Sequence, residues 1–136
     1  MNPQELIATL KSQHRELQAD LAIESEKGED IAPRLSKFKV DLLGHLKLEN
    51  GIFYPDYLDR QTKRGGEVEN IKQFIKQMDD IGKTVMAFLG RYASPEVINQ
   101  NLPTFRMELA SIVSTLNLRI EAEEEGVYDL YLAIAI

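Results

Sequence analysis

The sequence predicts an all-α protein, an up-down-up-down antiparallel bundle of four helices. Four stretches of similar length carry apolar residues at alternating spacings of three and four, the spacing of a buried helix face. Short polar or glycine-containing breaks separate them, so neighbouring helices should run antiparallel. No stretch has the pattern of a strand. At 136 residues the chain is long enough for a real core, and we expect residues 1–136 to form a single domain.

The first helix should run from about Pro3 to about Ser25. Asn2 can cap it, Pro3 suits the first helical position, and Glu5 can reach back to complete a capping box. Its apolar stripe, at spacings of three and four, contains one histidine. The stripe is Leu6, Leu10, His14, Leu17 and Leu21. A short polar loop at 26–30 should follow.

The second helix should begin near Ile31, capped by Asp30, and end around Pro55. Its stripe reads Leu35, Phe38, Leu42, His45, Glu49 and Ile52. His45 and Glu49 are one turn apart and therefore project from the same face. Because an unpaired buried carboxylate is costly, a metal ion or a salt bridge must neutralise Glu49.

The third and fourth helices continue the rhythm after a break at Gly65 and Gly66, and Pro103 should interrupt or begin a helix. The third stripe is apolar throughout: Ile71, Phe74, Met78, Ile81, Val85 and Phe88. The fourth ends in two charges: Phe105, Leu109, Ile112, Leu116, Arg119 and Glu123. The apolar tail, residues 130–136, should either pack across the end of the bundle or form a homodimer contact.

An internal repeat relates the two halves of the chain. The segment from His45 to Tyr54 aligns with that from Arg119 to Tyr128, and Gln13-His14 aligns more weakly with Gln77-Met78. The halves therefore resemble two helical hairpins related by a pseudo-twofold axis. In such an arrangement the polar seam residues meet at one level: His14, His45, Glu49, Met78, Arg119 and Glu123.

These residues resemble the ligand pattern of the hemerythrin-like, or HHE cation-binding, family, and the resemblance covers essentially the whole chain. The family has histidine on the first helix and His-x-x-x-Glu on the second, matched here by His14, His45 and Glu49. It ends with a carboxylate, matched by Glu123. Met78 and Arg119 stand where the third and fourth helices of the family carry histidine.

The resemblance implies a metal-binding module with a reduced set of ligands. A single ion held by His14, His45, Glu49 and Glu123 is favoured over the di-iron centre of the family. Iron has the family precedent, and zinc or manganese would also suit two imidazoles and two carboxylates. The implied role is sensing or binding, with oxygen or nitric oxide as ligands. Arg119 would hold Glu49 or Glu123 bidentately in place of the second ion.

The alternative is a metal-free regulatory or interaction bundle with an unknown protein partner. Arg119 would then lie between Glu49 and Glu123 in a closed polar core with no cofactor. An enzyme is the least favoured class, because the sequence has no nucleophile motif and no glycine-rich phosphate loop.

The sequence also suggests roles for the residues around this layer, and for Asp41 and Met78 it leaves two interpretations open. Asp41 precedes His45 by one turn and could orient its ring, or it could form a surface salt bridge. Met78 should be core packing, with a thioether able to face a soft ion. The side chains of Glu121, Glu124 and Glu125 should form a solvated face. Tyr54 and Tyr128 should pack at the bundle end.

Composition narrows the class of partner and compartment. A formal net charge of -6 argues against nucleic acid, whose phosphates need a basic surface. The absence of cysteine excludes disulfides and thiolate metal sites. The first residues do not resemble a signal peptide, so we expect a cytoplasmic protein, and the apolar tail is too short to cross a membrane.

Overall fold

Four long helices make up the structure, a computed structural model that describes all of residues 1–136. The first is α1 (Pro3–Asp20). The second consists of α2 (Gly28–Leu48) and α3 (Tyr54–Lys63), and the third is α4 (Glu69–Arg91). The short α5 (Pro95–Gln100) leads to the fourth, α6 (Leu102–Ala122) and α7 (Tyr128–Ala135). There is no strand, and no helix is both long and apolar enough to span a bilayer.

The long helices pack in a ring. α1 contacts α2 and α6, and α4 contacts the same two helices from the opposite side. Successive long helices are therefore antiparallel neighbours. The predicted all-α, up-down-up-down four-helix bundle is confirmed.

The capping box that starts α1 is present, because Asn2 accepts from the Glu5 amide and Glu5 reaches back to the Asn2 amide. The helix nevertheless ends at Asp20, five residues before the predicted end. Arg34 donates to the Ala19 carbonyl at 2.7 Å, and Arg106 donates to the Ile23 carbonyl at 2.7 Å. Side chains from other helices thus satisfy carbonyls that a longer helix would have satisfied itself.

The second helix begins at Gly28, three residues earlier than predicted. The Gly28 amide donates to the Asn99 side chain of α5 at 2.8 Å, so Asn99, rather than Asp30, caps this end. A Cβ atom at Gly28 would collide with the Pro95 carbonyl. The start of α2 is therefore fixed by close approach to α5.

A five-residue π-helical segment lies within each of the two composite helices, at Glu49–Phe53 and at Glu123–Val127. In each, the amide of the next tyrosine donates to the glutamate carbonyl five residues earlier. The prediction that the second helix ends around Pro55 is wrong, because the helix continues as α3. A proline ring and its missing amide disrupt regular α-helix, and the π turn changes the hydrogen-bond register immediately before Pro55.

The π turn also changes which residue continues the buried face. Ile52, predicted to lie on the seam, is 55% exposed, whereas Phe53 is fully buried. A π turn contains one residue more than an α turn, so it rotates the following side chains around the helix axis. The three-four rhythm therefore fails at this point.

Two apolar clusters fill the interior on either side of a polar layer. The larger one includes Leu17, Leu42 and Leu116, and the smaller one includes Leu10 and Phe53. The smaller cluster also contains Tyr128 and Tyr131, with Leu132, Ile134 and Ala135 against it. The C-terminal tail thus continues the fourth helix as α7 and packs against α1 and α3 at the bundle end, while Leu130 and Ile136 stay exposed.

Candidate metal centre

Four side chains converge in the polar layer between the two clusters: His14 from α1, His45 from α2, and Glu49 and Glu123 from the starts of the π segments. Each is at most 4% exposed. One potential ligand atom from each lies within 4.8 Å of all the others. The structure thus brings together the four residues that the sequence selected, and their role as metal ligands stays a prediction.

His45 is held between an amide and a carboxylate. Its Nδ1 lies 2.7 Å from Oε1 of Gln13, and its Nε2 lies 2.6 Å from Oε2 of Glu49. Burial, with a contribution from the charge of His14, lowers the pKa of His45 to about 4, so its ring is neutral at pH 7. In this orientation of the Gln13 amide its oxygen accepts, so Nδ1 carries the proton and Nε2 presents a lone pair to Glu49. Two acceptors so close require a cation or a proton between them.

His14 is held by two adjacent glutamates. Its Nδ1 lies 2.7 Å from Glu124, and its Nε2 lies 3.5 Å from Glu123 and 3.4 Å from the Tyr128 hydroxyl. Burial alone would lower the pKa of His14, but hydrogen bonds with the two glutamates outweigh it and raise the pKa. Glu124 is only 17% exposed and also pairs with Arg15, so the prediction that it belongs to a solvated face is wrong.

The two cluster carboxylates differ in their partners. Oε2 of Glu123 accepts from the Tyr54 hydroxyl at 2.9 Å, and burial together with neighbouring Glu49 raises the pKa of Glu123 to about 7. Oε1 of Glu49 is buried and has no hydrogen-bond partner. Because a buried unpaired carboxylate oxygen is costly, this atom fits a bound cation.

Arg119 does not hold either carboxylate bidentately, and that prediction is wrong. Its Nη1 donates to the Phe74 carbonyl at 2.8 Å, its Nη2 donates to the Tyr54 hydroxyl at 3.0 Å, and its guanidinium lies 3.4 Å from the Phe74 ring centre. The nearest carboxylate contact is Nε to Glu123 at 3.8 Å. The stacked guanidinium therefore reaches Glu123 chiefly through Tyr54. Tyr54 packs as predicted and also links these two charges.

Asp41 does not orient His45. It pairs with Lys37 at 2.8 Å, the surface salt bridge considered as its alternative, and Lys37 also contacts Glu16 and Asp20. Gln13 takes the position at Nδ1 that was considered for Asp41. Gln13 lies off the apolar stripe of α1. The only sequence signal for this residue was its weak alignment with Gln77 in the internal repeat.

A cavity of about 190 Å³ adjoins the cluster and lies between α1 and α6. All four converging residues and Arg119 line it, together with apolar side chains that include Met78, which is buried in the core as predicted. At its outer side, Gln18 donates to Asn117 at 3.1 Å. The cluster therefore has access to a partly enclosed apolar space.

The donor set matches an ion by chemistry and approximately by size. Two imidazoles and two carboxylates are suitable ligands for iron(II), zinc or manganese. Tetrahedral ligands with bonds of about 2.1 Å lie about 3.4 Å apart. The observed separations, from 2.6 Å for His45 and Glu49 to at most 4.8 Å, bracket that value. After small movements of these side chains, the four residues could therefore hold such an ion.

Comparison with known proteins points in the same direction. The family model of the hemerythrin HHE cation binding domain matches residues 5–131. No curated protein and no solved structure gives a significant match. The matched segment contains every residue of the cluster.

Proposed function

Since the chain belongs to the hemerythrin HHE cation-binding family, we propose that His14, His45, Glu49 and Glu123 hold one metal ion. The unpartnered Oε1 of buried Glu49 carries this proposal most directly. Iron is the preferred ion because of the family, and zinc and manganese are the alternatives that the donors also suit. The site would then be a reduced form of the family's cation site.

Residues outside the cluster would orient its ligands. Gln13 and Glu124 engage Nδ1 of the two histidines, which leaves each Nε2 facing a glutamate. Such contacts fix the orientation of an imidazole and increase its basicity as a ligand. Tyr54 does the same for Glu123 by donating to one of its oxygens. A bound ion would therefore find most of its ligands already positioned.

A single ion agrees with the residues on α4 and α6. Met78 and Arg119 offer neither imidazole nor carboxylate at the positions where the family resemblance leads one to expect histidine. The fixed charge of Arg119, 3.8 Å from Glu123 at its Nε, also opposes a second cation nearby. We therefore propose one ion for each chain.

The role we propose is sensing or binding of a small diatomic gas, oxygen or nitric oxide. Iron held by these residues would supply the Lewis-acid and redox chemistry that such gases require, whereas zinc has no redox chemistry and would not. The partly enclosed and largely apolar cavity beside the cluster has room for a diatomic molecule. No side chain near the cluster has the arrangement of a nucleophile with its base, so we do not propose an enzyme.

Metal analysis of the untagged protein tests the proposal. After reconstitution with iron(II) without oxygen, or with zinc, we expect about one ion per chain. An ion at one hundred times its Kd should stabilise the fold by about 2.7 kcal/mol, and a chelator should reverse the effect. Glu123→Gln should weaken binding, whereas the matched control Glu121→Gln, at an exposed position on the same helix, should not. Reconstituted protein without a bound ion would rule the proposal out.

A rebuilt ligand set provides a second test. Met78→His combined with Arg119→His should raise the iron capacity above that of the wild type. The double variant adds imidazoles at the two positions where this chain lacks the histidine of the family pattern. An unchanged stoichiometry in a folded double variant would contradict the residue correspondence.

The metal-free regulatory or interaction bundle remains the second candidate, and one observation favours it. The close contact between His45 and Glu49 becomes an ordinary hydrogen bond if the Gln13 carboxamide is reversed, so that Nε2 carries the proton. In that case neither metal nor chelator should change the melting temperature of the wild type or of His45→Ala. This outcome separates the two functions.

A further inference from the structure

The cavity between α1 and α6 has two unlike walls. One wall is apolar and includes Leu17, Leu42, Met78 and Leu116. The other is the polar cluster with Arg119. At about 190 Å³ the cavity exceeds an engineered cavity of about 150 Å³ that is known to accept benzene. It is therefore large enough for a single six-membered ring with one substituent.

Two polar atoms of the lining residues lack hydrogen-bond partners. Nε of Arg119 is a buried donor, and Oε1 of Glu49 is a buried acceptor. Both residues lie beside the Glu123 carboxylate, because Nε of Arg119 is 3.8 Å from it and the ligand atom of Glu49 is within 4.8 Å of it. A hydroxyl group is the simplest group that both accepts and donates, so it can satisfy the two atoms together.

The polar wall disfavours ionised ligands for two reasons. An organic acid would place a third negative charge beside Glu49 and Glu123, and an ammonium group has no lone pair with which to accept from Nε of Arg119. An uncharged alcohol avoids both problems and can still bury its apolar body against the leucine side chains.

We propose that this cavity is a binding site for a small uncharged alcohol or phenol, with its hydroxyl between Arg119 and Glu49 and its apolar body against Leu17 and Leu116. The inference does not require the metal ion and applies to the ion-free protein, because the hydroxyl would take the Glu49 oxygen that the proposed ion would otherwise bind. One donor and one acceptor would set the specificity.

Phenol and toluene form a matched pair of probes, because they differ only in hydroxyl against methyl. Each is titrated into chelator-treated, full-length protein, and binding is followed by NMR shifts of backbone amides along α1 and α6. We expect saturable binding of phenol with a Kd of about 1 mM or lower, as is usual for a ligand of so few atoms. A purely apolar cavity would bind toluene more tightly, because burying the phenol hydroxyl without a hydrogen bond costs free energy. If Arg119 and Glu49 bind the hydroxyl, phenol should instead bind at least as tightly as toluene.

Val113→Phe fills part of the cavity, and Leu118→Phe adds the same ring at an exposed position of α6 that does not line it. The first variant should weaken phenol binding at least tenfold, and the second should leave it unchanged. Should Val113→Phe fail to fold, the comparison of phenol with toluene on the wild type still decides the question.

Absence of saturable phenol binding overturns the site, and tighter binding of toluene than of phenol overturns the assignment of the hydroxyl. Phenol binding with no metal binding would sink only the proposed ion site. Metal binding without phenol binding would sink only the present inference.

Discussion

Replacing Gln13 by alanine should weaken metal binding without removing any proposed ligand. Gln13 accepts from Nδ1 of His45 at 2.7 Å, in a partly buried position where water replaces an amide imperfectly. Loss of such a contact to a ligating histidine reduces metal affinity by about 10- to 100-fold. That range corresponds to about 1.4 to 2.7 kcal/mol of binding free energy, because each tenfold change is about 1.4 kcal/mol.

The measurement is a zinc titration against a chromophoric chelator of known affinity, at fixed pH and with apo-protein whose melting curve has been recorded. Gln4→Ala is the matched control, since it makes the same change at an exposed position in the first turn of α1, nine residues before Gln13. We expect the control to bind zinc like the wild type. If Gln13→Ala also binds zinc like the wild type, the orientation of His45 does not depend on this amide, and the reasoning is refuted.

Three further predictions test the packing around the layer. Phe53→Ala should lower the free energy of unfolding by about 3 to 5 kcal/mol, whereas Ile52→Ala should change it by no more than about 0.5 kcal/mol. Both values can be measured by chemical denaturation. Similar values for the two variants would contradict the π-turn register. Tyr54→Phe should cost about 1.5 to 3 kcal/mol through its lost bond to a buried carboxylate, and Tyr57→Phe, a buried tyrosine whose hydroxyl has no such bond, should cost clearly less. Although burial opposes ionisation, hydrogen bonds lower the pKa of Asp56, so its ionised form stabilises the fold above about pH 4 and this contribution is lost as pH falls. The melting temperature of Asp56→Asn should therefore approach that of the wild type in acid, and a constant difference between pH 7 and pH 3 would count against the linkage.

The candidate cluster was accessible from the sequence because helical spacing is a local property. His14, His45, Glu49 and Glu123 each occupy a position in an apolar rhythm, and that rhythm places a side chain inside whatever the partner helices are. The internal repeat then predicted that these side chains lie at the same level of the bundle. The orientation of Arg119 could not be predicted in this way, because a long side chain can hydrogen-bond with groups on several other helices. Its position beside Glu123 in the sequence says nothing about Phe74 or the Tyr54 hydroxyl.

The sequence alone determined the all-α class, the antiparallel order of the helices and the four polar residues of the layer, since amphipathic spacing and short connections leave few other ways to bury these faces. Only the tertiary structure decided that Gln13 and Glu124, rather than Asp41, hold the two histidines, and that Phe53 rather than Ile52 enters the core. Hydrogen bonds between helices and a π turn select among neighbouring side chains that local spacing treats as nearly equivalent. Which side chain forms each contact depends on which polar groups still lack hydrogen-bond partners once the helices have packed.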